Sequence, residues 1–373
     1  MAKKFDRKTF FKGVAIGTLS LPFGIRAFRP ATAQSTHKSI DLGRKFKWKM
    51  VTTWPPNFPV LGEGCVLVAD WIREMSAGRL DIQVYGGGEL VPALEVFGTV
   101  RSGAAQMGHG ASYYWAGKIP SAQFFASVPF GFNAQQMNAW LLNAGGLELW
   151  ESLYADYGLI PIPAGNTGVQ MGGWYNREIN SVADFKGLKM RMPGLGGKVL
   201  ERVGGSPVLL AGGEIYTGLE RGIIDAAEWI GPYHDYKMGF NQIAKYYYTP
   251  GWHELGTELE LLLNKEAYEE LPADLQAIVT AGTLRLNHWI LSEFEARNSE
   301  FMQKIIADKN IEIRQFSPEI LSVLREYADE AIEELANSDK FARKTYDSFL
   351  NFRHQIHEWS KVSESIYYGQ LQS

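Results

Sequence analysis

From Lys45 onward the chain alternates between two hydrophobic periods. Phe46, Trp48 and Met50 fall on one face of a strand, with Lys47 and Lys49 on the other. A helix is predicted over 64–76, stopped by Gly78. A strand follows over 81–85, then a helix opened by Pro92 with Leu94, Phe97 and Val100 on one stripe. Residues 105–109 read as a further strand. The pattern restarts near residue 160. Strands are predicted over 168–175, 188–192, 208–210 and 223–228, with helices over 197–203 and 214–220. Ser181 to Asp184 forms an acidic capping box that Gly187 ends. In strand 188–192, Leu188, Met190 and Met192 point inward, so Lys189 and Arg191 share the opposite, outward face. From Leu271 the chain turns helical, with helices predicted over 272–308, 318–337 and 340–361 and a strand-like 311–316 between the first two. Leu275, Ile278, Val279, Leu286, Trp289, Ile290 and Phe294 are the candidate core of the first helix. The order predicts an α/β protein: two units with partly parallel sheets, then a helical C-terminal third.

The 373 residues, 46% hydrophobic and 21% charged, have a globular composition long enough for about two domains. Residues 1–33 differ from the rest. They hold seven basic residues, an apolar run from Val14 to Ile25, and Ala31-Thr32-Ala33. A basic start, a short apolar run and a small-x-small site read as an export signal cleaved near Ala33. Arg7-Lys8-Thr9-Phe10-Phe11-Lys12 is similar to a twin-arginine signal with Lys in the second position, which leaves the export route open. Cleavage moves the formal net charge from −4 to −10. That excludes a general basic field and argues against nucleic acid as a partner. With Cys65 alone, no intrachain disulfide forms.

Enzyme motifs fail one by one. Gly194-Leu195-Gly196-Gly197 lacks the last glycine of a dinucleotide fingerprint, and Gly197-Lys198 is followed by Val199, not Ser or Thr. There is no G-x-S-x-G and no H-E-x-x-H. Cys65 reads as a small buried side chain in a helix. His354 and His357 lie three apart on a helix and read as a solvated face, since no third ligand accompanies them.

Polar and glycine residues collect at strand ends in four strings: Gly165-Asn166-Thr167-Gly168-Val169-Gln170-Met171-Gly172-Gly173-Trp174, Gly187-Leu188-Lys189-Met190-Arg191, Asp225-Ala226-Ala227-Glu228-Trp229-Ile230-Gly231-Pro232-Tyr233 and Tyr246-Tyr247-Tyr248-Thr249-Pro250-Gly251-Trp252-His253-Glu254. An arginine on an otherwise apolar strand can grip a carboxylate through two parallel N–H bonds. Together the strings resemble the DctP-type substrate-binding proteins of TRAP transporters, the tripartite ATP-independent periplasmic type. The likeness spans the whole chain and points to the branch that binds 2-oxo monocarboxylates such as pyruvate with a metal ion.

The resemblance implies a two-lobed periplasmic binding protein with a ligand cleft: an N-terminal α/β lobe over 34–160, a second over 161–256, and a helical region over 257–373 that crosses and packs on both. It implies that Arg191 pairs with the substrate carboxylate and that Tyr114 and Asn166 contact the substrate. Gln170, Glu228, Glu254 and the main-chain carbonyl of Trp229 would hold the metal, with Gln170 and Trp229 also against the substrate. Trp54 and Trp174 would help wall the pocket. An apparent extra residue before Gly117-Lys118 leaves Tyr113 as an alternative to Tyr114, His253 stands where relatives carry an aromatic, and Pro193 follows the arginine strand. Oxygen ligands suit a hard ion, Na⁺ or Ca²⁺, and its charge would offset Glu228, Glu254 and an anionic substrate where Arg191 offsets one. The implied partners are a small and a large membrane permease subunit; a homodimer through helix 272–308 is compatible with the pattern. The expected role is not enzymatic. The alternatives are a binder of lactate or another 2-hydroxy acid, an exported metal-dependent enzyme acting on small acids, and a binding protein serving a membrane sensor.

Overall fold

A computed structural model describes residues 43–371, so the expected signal at 1–33 lies outside the described residues. Among the described residues eleven strands form two mixed sheets. They are β1 (Phe46–Thr52), β2 (Leu80–Tyr85), β3 (Met107–Gly110), β4 (Leu159–Asn166), β5 (Gly173–Tyr175), β6 (Lys189–Arg191), β7 (Ser206–Val208), β8 (Ala226–Ala227), β9 (Tyr246–Thr249), β10 (Glu258–Asn264) and β11 (Glu312–Gln315). The first sheet runs β2-β1-β3-β10-β4 and the second β11-β9-β5-β8-β6-β7. β1 is parallel to β2 and β3, as expected when helices make the connections, while β10 is antiparallel to both neighbours. From Lys265 on the chain is helical apart from β11, while β10, at the start of the region 257–373 expected to be helical, is a strand of the first sheet.

The chain passes between the sheets at three places: 167–172, 250–257, and the long stretch from β10 to β11 that contains the helix Ala273–Ala307. The first two passages place the site. Neither is regular structure, and glycines bend both, Gly168 at φ +67° and Gly256 at φ +156°. Gly173 has φ +106°, and a Cβ there would lie 2.8 Å from the Ala227 carbonyl oxygen.

Most expected elements are present with shifted ends. Leu275, Val279, Leu286, Ile290 and Phe294 of the long helix are buried as expected, and Ile278 and Trp289 pack at the edge of the same core. Four readings change. Residues 168–172 are a crossing loop, not part of a strand; only Gly173–Tyr175 pairs. β4 carries Pro161 and Pro163 and sits at a sheet edge, where a missing N–H is tolerated. The expected strand 223–228 shrinks to Ala226–Ala227. Arg191 is not outward in solvent. Lys189 is exposed, but Arg191 is 1% exposed, because Tyr114 and Trp229 close over the end of β6.

Cys65 is buried in the core as expected, and burial pushes its thiol pKa up. His354 and His357 are exposed on their helix. Tyr247 is wholly buried and stacks on Trp174 with ring centroids 4.2 Å apart.

Candidate functional site

Arg191 ends β6 and is the one guanidinium among the largest fully buried side chains. Buried cations need partners, and four of its five N–H groups have them. Nη1 donates to the Glu228 carboxylate and, at 3.2 Å, to the Glu228 carbonyl. Nη2 donates to the Tyr114 hydroxyl at 3.3 Å, and Nε lies 3.5 Å from the Leu210 carbonyl. One Nη2 hydrogen is left over. The guanidinium carbon sits 4.9 Å from the centre of the Trp229 ring. Burial is the largest single effect and works against its charge, but Glu228, Tyr114, Tyr113 and Glu254 together outweigh burial and raise its pKa above the ordinary value.

Glu228 follows β8, directly beside Arg191, because β6 and β8 pair in parallel with Arg191 opposite Ala227. Its second oxygen faces His253 Nε2 at 3.2 Å. The two crossing loops meet at Gln170 and Glu254. Gln170 Nε2 donates to Glu254 at 2.7 Å and to the Thr167 and Thr257 hydroxyls at 3.1 Å each. The Thr257 hydroxyl also donates to Glu254. Burial, then the nearby Glu228 charge, pushes Glu254 up to about 7.

Three features of this cluster fit a hard cation. Glu228 and Glu254 are both nearly fully buried, and the one buried guanidinium beside them, Arg191, pairs with Glu228. Gln170 Oε1 is buried with no hydrogen-bond partner, and an orphaned amide oxygen costs desolvation unless something electropositive meets it. The donors are oxygens, without thiolate. Among the described residues no three His, Cys, Asp or Glu side chains converge as a metal site. The cluster instead offers two carboxylates and an amide.

Tyr113 and Tyr114 occupy one 3₁₀ turn, Ser112–Trp115. Both tyrosine pKa values rise, through burial first; for Tyr113 the Glu254 charge comes next. Both face the site, and both line a cavity of about 690 Å³ together with Met192, Pro193, Leu195 and Leu209.

Two tryptophans are held by the same device. Trp54 Nε1 donates to His109 Nδ1 at 2.7 Å, and His109 Nε2 meets the Ala164 carbonyl at 3.2 Å. Trp229 Nε1 donates to His234 Nδ1 at 3.2 Å, and His234 Nε2 meets the Pro59 carbonyl at 2.6 Å. Burial lowers these histidines to about 4 and about 3, so both are neutral at pH 7 and can accept from indole. The indoles lie edge to face, 6.4 Å apart.

Not every expected residue joins the cluster. Asn166 commits its amide nitrogen to Glu258 at 3.0 Å and its oxygen to the Gly168 N–H at 3.0 Å. Trp174 donates to Asp235 and stacks on Tyr247 in the core of the second sheet. His253 touches Glu228 and Thr257 touches Glu254, while Thr167 meets Gln170; the sequence does not single these three out as site residues. A histidine one position before Glu254 was the only available signal.

The model for the bacterial extracellular solute-binding proteins, family 7 (DctP), matches residues 50–339. The chain belongs to this family. Its family 7 relatives include a monocarboxylate 2-oxoacid-binding periplasmic protein of Nostoc sp., 42% identical over 335 residues, which are 90% of this chain and 92% of that one. A solved TRAP solute-binding protein of Pseudoalteromonas atlantica, with bound sodium and pyruvate, is 42% identical with a TM-score of 0.85; the match covers 87% of this chain and 99% of that one. One from Colwellia psychrerythraea, with bound calcium and pyruvate, is 43% identical with a TM-score of 0.85, covering 88% and 100%. This family 7 member therefore has the two-sheet fold of solute-binding proteins. No helix among its described residues is long and apolar enough to cross a membrane.

Proposed function

We propose that this protein captures a 2-oxo monocarboxylate together with Na⁺ or Ca²⁺ in the periplasm and presents it to the small and large subunits of a TRAP permease. The observation that carries the reading is the buried cluster itself: one guanidinium with a spare N–H, two carboxylates, and an amide oxygen with no partner. The relatives' pyruvate, sodium and calcium agree with that chemistry.

Arg191 would bind the substrate carboxylate through its Nη2 edge, beside the Tyr114 hydroxyl. Gln170 Oε1, Glu228, Glu254 and the Trp229 carbonyl would hold the cation. A bound cation supplies positive charge to the 2-oxo oxygen and one carboxylate oxygen of the substrate, which selects acids with an oxygen beside the carboxylate. Trp54 and Trp229 exclude water and so strengthen each charged contact. The cavity beyond Tyr113 and Tyr114 gives room for a substrate side chain, so longer 2-oxo acids belong in the comparison with pyruvate. Residues contributed from both sheets imply that the lobes close on the ligand.

The test is calorimetric titration with pyruvate after chelation, then with Na⁺ or Ca²⁺ restored, with lactate, succinate and a sugar alongside. Saturable, cation-dependent binding of 2-oxo acids, with the acid recovered unchanged, is the expected result. Binding of lactate alone would shift the reading to 2-hydroxy acids. Consumption of the acid would replace it with an exported enzyme.

A further inference from the structure

The helix histidines His354 and His357, unused by the cleft, belong to a second polar cavity. It measures about 600 Å³ and lies between the helices Pro318–Ala336, Lys340–Val362 and Glu364–Leu371 and the loop around Phe130. Four basic side chains line it: Arg325, Arg353, His354 and His357. The lining contains one carboxylate, Glu364. In a chain with more acids than bases, that is a local reversal of charge.

The two arginines are not spent elsewhere. The Arg325 guanidinium stacks 4.0 Å above the Phe130 ring, which leaves its N–H edges unused. Neither arginine forms an ion pair among the described residues. On one helix, His357 lies one turn beyond both Arg353 (i+4) and His354 (i+3). The Ser360 hydroxyl, also in the lining, accepts from Gln136 Nε2 at 3.1 Å and keeps its own hydrogen to donate. The set is therefore rich in donors and poor in acceptors. Two always-charged planar groups, two imidazoles and a hydroxyl match an oxyanion with several acceptor oxygens.

We infer that this cavity is a second anion site, distinct from the cleft, that takes a phosphate-type oxyanion. Two sources supply that chemistry: a free phosphate or the headgroup of an anionic phospholipid. Tyr368 lines the cavity, and Trp359, Val362, Ile366, Tyr367 and Leu371 lie on the same two C-terminal helices; each of the six is more than half exposed. Basic residues beside exposed aromatic and aliphatic ones make a surface suited to a bilayer interface.

The experiment titrates inorganic phosphate into the protein by calorimetry at constant ionic strength, and in parallel sediments it with phosphatidylglycerol or phosphatidylcholine vesicles. The comparison variant is Arg325→Gln with Arg353→Gln, checked for an unchanged circular dichroism spectrum and unchanged pyruvate binding. Arg191→Lys serves as the cleft control. Saturable phosphate binding that weakens at least about tenfold in the double variant and persists in Arg191→Lys supports a site for the free anion. Co-sedimentation with phosphatidylglycerol only, lost in the double variant, supports the headgroup. No binding in either arm, or binding indifferent to the two arginines, overturns the inference. The outcome does not depend on which acid the cleft binds.

Discussion

At the scale of single residues, the site is a problem of unbalanced charge in a dry place. Arg191 neutralises one carboxylate, and Glu228 takes most of that effect. Glu254 keeps its proton to unusually high pH because burial and Glu228 both oppose its ionisation. Replacing Arg191 by Lys keeps the charge but removes the planar fork. The expected result is a pyruvate dissociation constant raised by about 30-fold, roughly 2 kcal/mol, at unchanged secondary structure. Calorimetry and circular dichroism read both quantities. Glu228→Gln keeps a hydrogen-bonding oxygen beside Arg191 but deletes the charge. The cation concentration needed for half-maximal pyruvate binding is then expected to rise at least about tenfold; an unaltered cation response would remove Glu228 from the site. His253 braces the second Glu228 oxygen. His253→Phe is therefore expected to weaken cation-dependent binding several-fold, while His253→Gln, which can still donate, restores part of it.

At the scale of elements, close backbone approach decides where the ligands stand. The cluster depends on loops 167–172 and 250–257 running side by side. Gln170 N–H donates to the Glu254 carbonyl at 3.3 Å, and Gly172 N–H to the Tyr248 carbonyl at 2.7 Å. A Cβ on Gly251 would lie 2.2 Å from the Gln170 carbonyl oxygen. That atom is backbone and cannot swing aside, so Gly251→Ala must separate the loops. The expected outcome is a lowered melting temperature, from a cost on the order of 1–3 kcal/mol, together with loss of cation-dependent binding. A variant that melts and binds like the parent would show that the loops need not touch. β10 tells a related story. Its sequence, ELELLLN, alternates at the start, and a period-2 reading turns Glu258 and Glu260 to solvent. Both are buried instead, because β10 runs between β3 and β4 in the middle of a sheet covered on both faces.

At the scale of the whole molecule, those two acids tie stability to pH. Burial pushes Glu258 and Glu260 up to about 8 each, against an ordinary value near 4.5. Between these limits the folded state holds more protons than the unfolded chain, so stability falls as pH rises from about 5 to 8. Glu260 accepts from Trp115 Nε1 and, at 3.4 Å, from the Tyr154 hydroxyl. A neutral amide can keep such bonds. Glu260→Gln is therefore expected to flatten the fall in melting temperature across this range, as thermal melts at pH 5, 6, 7 and 8 would show. An unchanged slope would mean that Glu260 does not titrate there. Aromatic rings also join the two sheets. Trp54 and Phe58 from the first sheet's side pack edge to face against Trp229 from the second.

Much of this protein was written in local pattern. The order of strands and helices, the buried stripe of the long helix and the capped turn at Ser181 follow from periods of 2 and 3.6 and from end signals that act over a few residues. The strings that carry Arg191, Gln170, Glu228 and Glu254 were visible as polar residues beside glycines, but that these four belong to one site was implied by the family resemblance, not by local pattern. What needed the tertiary structure was every feature set by a partner distant in the chain. Pro161 and Pro163 hid β4 until its place at a sheet edge was known. The pleat placed Arg191 on the face opposite the apolar residues, but only Tyr114, 77 residues away, and Trp229 turn that face into an interior. The acids of β10 look solvated until neighbouring strands cover them. His253 looks incidental until its ring meets Glu228. Periodicity reports which residues share a face; it carries no information about what will cover that face, because covering is decided by contacts between segments far apart in sequence.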